Sequence, residues 1–251
     1  DLLGLAQPLW YDAPHKALWQ LGIQGTTLET CAIEQPESVQ LLTEAAHTIG
    51  AFHGTRLSGI RSVTIQTLID KLGVVSPMLM QARPTCKPVL VPLLARLAAQ
   101  AKSIPASPTA TLHGDLHLKN LFLTNGKIAL IDLDNVCEGP PGLDIGSFIA
   151  GLLTTALTKG SSLSQMTSRL HTFLEHYHQS VAWKVDQPTV AWFTAMALVI
   201  ERAHRCITRL KDDRRGQVEA LLNLADRISE SLSLESLADG WTETDERSRQ
   251  P

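Results

Sequence analysis

The stretch His113-Gly114-Asp115-Leu116-His117-Leu118-Lys119-Asn120, followed by Ile131-Asp132-Leu133-Asp134, decides how the chain is read. Between the two runs lie Leu121-Phe122-Leu123-Thr124, then Asn125-Gly126, then Lys127-Ile128-Ala129-Leu130. Asn-Gly tolerates positive φ at both central positions of a type I′ turn, so the segment predicts a tight β-hairpin. With a two-residue turn, paired positions sum to 251: Thr124 faces Lys127, Leu121 faces Leu130 and Asn120 faces Ile131. Asn120 and Asp132 then lie side by side at the open end, on strands about 5 Å apart. Strict alternation would aim them at opposite faces, because Asp132 is one step past its pairing. A bulge or the end of pairing must therefore intervene there.

Asp115 precedes Asn120 by five residues on the loop that enters the hairpin, so all three polar groups can converge. A few hard oxygen donors suit Mg²⁺, which keeps several waters and is completed by substrate phosphates. A carboxylate beside them can orient and deprotonate a hydroxyl. The spacing is that of the kinase catalytic loop H-R-D-L-x-x-x-N, with Gly114 in place of Arg and Asp132 where the D-F-G aspartate stands.

More closely, His-Gly-Asp-Leu-His-x-x-Asn followed by Ile-Asp-x-Asp resembles the aminoglycoside phosphotransferase and choline kinase group. The resemblance implies an α+β, protein-kinase-like fold, here mainly the helical C-terminal lobe with the catalytic hairpin inserted. It implies ATP and Mg²⁺ as cofactors, and transfer of the γ-phosphoryl group to a hydroxyl of a small molecule, an antibiotic, a sugar or an amino alcohol. By it, Asp115 is the catalytic base, and Asn120 and Asp132 are the metal ligands. Asp144, in Gly142-Leu143-Asp144-Ile145, opens the next helix and braces the catalytic loop. Gly25 and Leu28 match a Gly-x-x-Leu that closes the hinge, which puts Trp19, Gln20, Leu21, Gly22 and Ile23 beside adenine. His113 is expected to shape the loop through a backbone hydrogen bond. Asp134 is either a further group at the metal or solvated. Only eleven residues separate Asp132 from Asp144, too few for an activation segment, which disfavours a protein kinase.

Residues 8–11 and 16–21, around Asp12-Ala13-Pro14-His15, predict an aromatic-bearing hairpin. Apolar spacing predicts helices from Pro36 to about Leu57, near 62–72 and 90–102 with Pro84 and Pro88 separating them, and at 144–158, 163–181, 188–210 and 215–233. The expected division is residues 1–28 as the remnant of a β-rich lobe and hinge, 29–238 as a helical catalytic lobe, and 239–251 as a disordered tail. The first 28 residues hold no Gly-rich loop and no strand lysine suited to ATP phosphates. The segment is therefore expected to belong to a longer chain and to be inactive alone. The alternative is a pseudokinase, a binding or regulatory module without catalysis. Histidines 171, 176 and 178, and the basic run Arg202, His204, Arg205 and Arg209, read as surface or packing residues and a solvated face. Trp183, Trp192 and Phe193 read as core.

Composition sets the outer bounds. Net charge of −3 offers no basic excess for nucleic acid or membrane headgroups. The four cysteines form no C-x-x-C pair, which suits a reducing cytoplasm and argues against a zinc site. The most apolar runs, 145–157 and 189–200, are too short to span a bilayer.

Overall fold

The computed structural model describes residues 5–31, 38–209 and 216–237. The expected tail at 239–251 and the helix start at Pro36 lie outside the described residues. In chain order the elements are β1 (Pro8–Asp12), β2 (Ala17–Gln20), β3 (Thr26–Thr27), α1 (Ser38–His53), β4 (Arg61–Ser62), α2 (Ile65–Ala82) and α3 (Lys87–Gln100). Then come β5 (Ala110–Leu112), β6 (Leu121–Thr124), β7 (Lys127–Leu130), β8 (Cys137–Gly139), α4 (Gly142–Lys159), α5 (Leu163–Ser180), α6 (Gln187–Ala197), α7 (His204–Thr208) and α8 (Gln217–Ser231).

The strands form three small sheets. β1 and β2 make an antiparallel ribbon on which Leu9, Trp10, Tyr11, Leu18 and Trp19 are each more than half exposed. β3 pairs with β6, and β6 with β7, in the register the Asn-Gly turn predicts: Leu121 opposite Leu130 and Thr124 opposite Lys127. Asn125 and Gly126 both take positive φ, as a type I′ turn requires. β8 lies between β4 and β5.

The helices bury apolar stripes against one another. On α1, Leu42, Ala45, Ala46, Ile49 and Phe52 are buried at helical spacing. On α5, capped by Ser162, the buried positions are Leu163, Met166, Leu170, Phe173 and Tyr177. α6, capped by Asp186, is buried on all sides from Thr189 to Ala197, so it forms the centre of the body. Within it Trp192 is fully buried and its Nε1–H donates to the Leu97 carbonyl at 3.0 Å.

Three helical expectations need correction. α2 starts only after Thr64, whose hydroxyl and that of Thr67 form a capping box, and it runs on through Pro77 to Ala82. Buried Leu72, Val75 and Leu79 hold it across the hydrogen bond that Pro77 cannot make. Pro88 lies in the first turn of α3 instead of the gap before it, a position where a missing N–H costs nothing. The helix expected over 188–210 is interrupted by a π-helical stretch, Leu198–Ala203, between α6 and α7.

Candidate active site

β5 delivers the chain to His113, Gly114 and Asp115, and the short turn Leu118–Asn120 carries it into β6. Gly114 has φ +77°, and a Cβ there would run into the Asn135 carbonyl oxygen. A left-handed backbone and this close approach together exclude Arg, the residue protein kinases carry at this position. Asp144, buried at the start of α4, fixes the loop. Its carboxylate accepts from the N–H of His113 at 2.6 Å and of Gly114 at 3.0 Å.

A buried chain of side chains backs Asp144. His53 Nε2 lies 3.2 Å from its Oδ2, Tyr177 Oη lies 2.8 Å from His53 Nδ1, and Trp183 Nε1–H donates to Tyr177 Oη at 3.2 Å. Trp donates only, so the phenol hydrogen is free for Nδ1 and, in the neutral ring, Nε2–H faces the carboxylate. Burial pushes the Tyr177 phenol well above its ordinary value, which keeps that proton in place. His113 donates from Nε2 to the Ile131 carbonyl at 2.8 Å, tying the loop to the end of β7. Neither His53 nor Tyr177 carries any local sequence signal.

Asn120 is buried and its Nδ2–H donates to the Asp115 carbonyl at 3.0 Å, which leaves its amide oxygen as the acceptor of the side chain. The Ile131 N–H donates to the Asn120 carbonyl at 3.1 Å, and pairing then ends. Asp132, exposed, turns into the left-handed region at φ 60° and ψ 58°, the break that strict alternation demanded. Asp134 is exposed on the short turn after it. The donor set of one amide oxygen and one or two carboxylates fits Mg²⁺ completed by phosphate oxygens. Among the described residues, no three His, Cys, Asp or Glu side chains gather as a metal cluster.

The segment expected as a hinge reaches the site through β3. Trp19 and Gln20 end β2, Leu21 N–H donates to the Gln7 carbonyl, and Gly22 and Ile23 lie in the coil that follows. A Cβ on Gly25 would strike the Leu123 carbonyl oxygen, and Leu28 is fully buried with its N–H donating to the Leu121 carbonyl at 2.9 Å.

The basic run is where the solvated-face reading fails. The Arg202 side chain is 11% exposed and Arg205 26%. Arg202 Nη2 donates to the Ser147 carbonyl at 2.8 Å, and Arg205 Nη2 donates to Asp115 Oδ1 at 2.6 Å. Arg202 lies inside the π-helical stretch and Arg205 two residues past its end, so the widened turn changes the face on which they stand; such insertions recur at functional sites. Burial pushes the Asp115 carboxyl up, but the charge and hydrogen bond of Arg205, helped by His117 and Arg202, hold it below the usual carboxylate value. His117, whose Nε2 is 3.7 Å from Asp115 Oδ2, is driven down to about 4, chiefly by burial.

The folded protein thus resists protonating His117, while an unfolded chain takes the proton near 6.5. Between these values the unfolded state binds more protons, so stability falls as pH drops from 6.5 to about 4. Calorimetric melting across that window is expected to show the decline, with His117→Gln flattening part of it. An equally steep decline in the variant would contradict the account.

Solved structures that share the fold include a choline/ethanolamine kinase family protein from Mesorhizobium loti, with a TM-score of 0.61 at 16% identity over 94% of this chain and 78% of that one. Amicoumacin kinase, solved with AMP-PNP and Ca²⁺, gives a TM-score of 0.63 at 14% identity over 92% of this chain and 74% of that one. The fold is therefore kinase-like, α+β and mostly helical. The sequence profile of the phosphotransferase enzyme family matches residues 3–160, and the chain belongs to that family. A second profile, that of an uncharacterized protein conserved in bacteria, matches residues 93–250. Methylthioribose kinase of Bacillus pumilus is 36% identical over 96 residues, 36% of this chain and 24% of that protein. The Geobacillus thermodenitrificans enzyme of the same name is 43% identical over 51 residues, 20% of this chain and 13% of that protein. The matched stretch spans about a quarter or less of the length of these relatives.

Proposed function

We propose that the chain is the catalytic part of an ATP- and Mg²⁺-dependent kinase acting on a hydroxyl of a small molecule. The observation that carries this reading is Asp115 on a loop held by Asp144, followed by an Asn120 whose Nδ2–H is bound to the Asp115 carbonyl and a hairpin that ends in exposed Asp132. Family membership and the stretch shared with methylthioribose kinases support it. Asp115 accepts the acceptor's hydroxyl proton as that oxygen bonds to the γ-phosphorus. The bond from phosphorus to the β–γ bridging oxygen breaks, and ADP leaves with the electron pair. Asn120 and Asp132 would hold the metal, with Asp134 two residues further on; Mg²⁺, when bound, would supply charge neutralisation for the nucleotide phosphates. His113 and Asp144 act through the loop. Trp19 to Ile23 would form the adenine side of the nucleotide site, with residue 28 dividing this hinge segment from the catalytic lobe.

Residues 1–28 offer no Gly-rich loop or strand lysine for the phosphates, and Lys16 sits exposed in the turn of the first ribbon. The 251-residue segment alone is expected to bind nucleotide weakly. Cys31, Cys86 and Cys137 are free thiols, which suits a reducing cytoplasm. No helix among the described residues is long and apolar enough to cross a membrane.

The test is Asp132→Ala in the full-length protein. Calorimetric titration with ATP is expected to lose most of its Mg²⁺-dependent affinity and keep the affinity measured without metal. Equal Mg²⁺ dependence in variant and parent would remove Asp132 from the metal site.

A further inference from the structure

Beside Asp115 opens a cleft of about 150 Å³, bounded by Glu29, His117, Lys119, Thr154, Arg202 and Arg205. A cavity of roughly this volume takes a benzene-sized molecule, so the cleft suits a small acceptor. Asp115, Asn120 and Asp132 do not line it; His117 and Arg205, which do, are the side chains that meet Asp115. Its charge is mostly cationic. Lys119 is met by Glu29 at 3.4 Å, Arg205 by Asp115, and Arg202 by Glu201 only at 3.8 Å. Glu201 is already held by the Ser147 hydroxyl at 2.7 Å. Arg209 stands exposed at the rim.

Donor capacity here is left unspent. Arg202 Nε is buried without a hydrogen-bond partner among the described residues, and so is His117 Nδ1. Arg202 and Arg205 both line the cleft, where a bound acid would gain charge-assisted hydrogen bonds from their guanidinium groups. Arg205, meanwhile, occupies an oxygen of the very carboxylate proposed to accept a proton. A ligand acid in the cleft would give Arg205 a second partner and release that oxygen toward the acceptor's hydroxyl.

We propose that the acceptor carries an acid group, a carboxylate or phosphate ester near its hydroxyl, bound by the guanidinium groups of Arg202 and Arg205. The identity of the group as an acceptor rests on the kinase reading above; the recognition of an acid by this cleft does not. The two are separated by measuring binding and turnover on the full-length protein. The probes are glycerate, 4-hydroxybutyrate and glycerol 3-phosphate, against glyceramide, 4-hydroxybutyramide and glycerol. Calorimetry is expected to show at least one acid binding about tenfold or more tighter than its neutral counterpart. The glycerate and glycerol 3-phosphate arms tell carboxylate from phosphate. Arg202→Gln, or Arg205→Gln if the buried arginine is needed for folding, is expected to abolish that preference. In turnover, the loss should appear in the acceptor's KM and leave the KM for ATP within about twofold. If no acid binds more tightly than its neutral counterpart, or the preference survives both substitutions, the inference fails. If acids bind through Arg202 and Arg205 but no probe or other hydroxyl compound consumes ATP, the kinase reading fails and this one stands.

Discussion

Asp115→Asn in the full-length protein is expected to lower kcat by about 10²- to 10⁴-fold, the range supplied by a positioned general base. Asparagine keeps the size of the side chain and an oxygen that can accept from Arg205, so the loop and cleft should survive the change. What disappears is the group that takes the hydroxyl proton. Mg·ATP affinity should stay nearly constant, because the proposed metal ligands are Asn120 and Asp132. With Arg205 bonded at 2.6 Å, Asp115 is held below the ordinary carboxylate value, so it stays ionised through mildly acidic pH. It is then a weak base, which a loose transition state tolerates, since the proton is needed only as the phosphorus–oxygen bond matures. Unchanged kcat in the variant would remove Asp115 from the reaction.

Asp144→Ala is expected to have the largest effect on stability. The carboxylate is 1% exposed and accepts from two backbone N–H groups and from His53. Alanine leaves both N–H groups and the His53–Tyr177–Trp183 chain without their terminus, at a cost of about 3 to 5 kcal/mol. Gly114 would also lose the contact that helps keep it left-handed, so activity should fall with stability. Urea denaturation monitored by tryptophan fluorescence measures the first, and Asp144→Asn, which keeps one acceptor oxygen, is expected to recover part of it. A midpoint that does not move would mean the loop is held by something else.

The hairpin and its register were legible because one dipeptide, Asn125-Gly126, fixes turn type, and turn type fixes pairing. The breakdown of alternation at Asp132 was legible as a necessity but not as a form, since a left-handed residue that is not glycine leaves no mark in sequence. The helices followed from apolar spacing, with errors at Pro77, Pro88 and the π-helical stretch. At each of these, packing outweighs a local rule. The support of the loop was half visible. Asp144 sits twelve residues past Asp132 in a recognisable motif, whereas His53 and Tyr177 come from α1 and α5 and meet it only in three dimensions. Arg202 and Arg205 were visible as charges and misread as solvated. Their burial depends on the π-helical stretch and on α4, neither of which charge patterning encodes.

The reaction itself is the central claim, and ³¹P NMR tests it most directly. The full-length protein would be incubated with ATP, Mg²⁺ and a panel of hydroxy acids, sugars and amino alcohols. The account predicts a new phosphate-ester resonance from one acceptor, ADP formed in equal amount, and neither in the Asp115→Asn protein. ATP left intact beside every acceptor, or consumed equally by the variant, would contradict it.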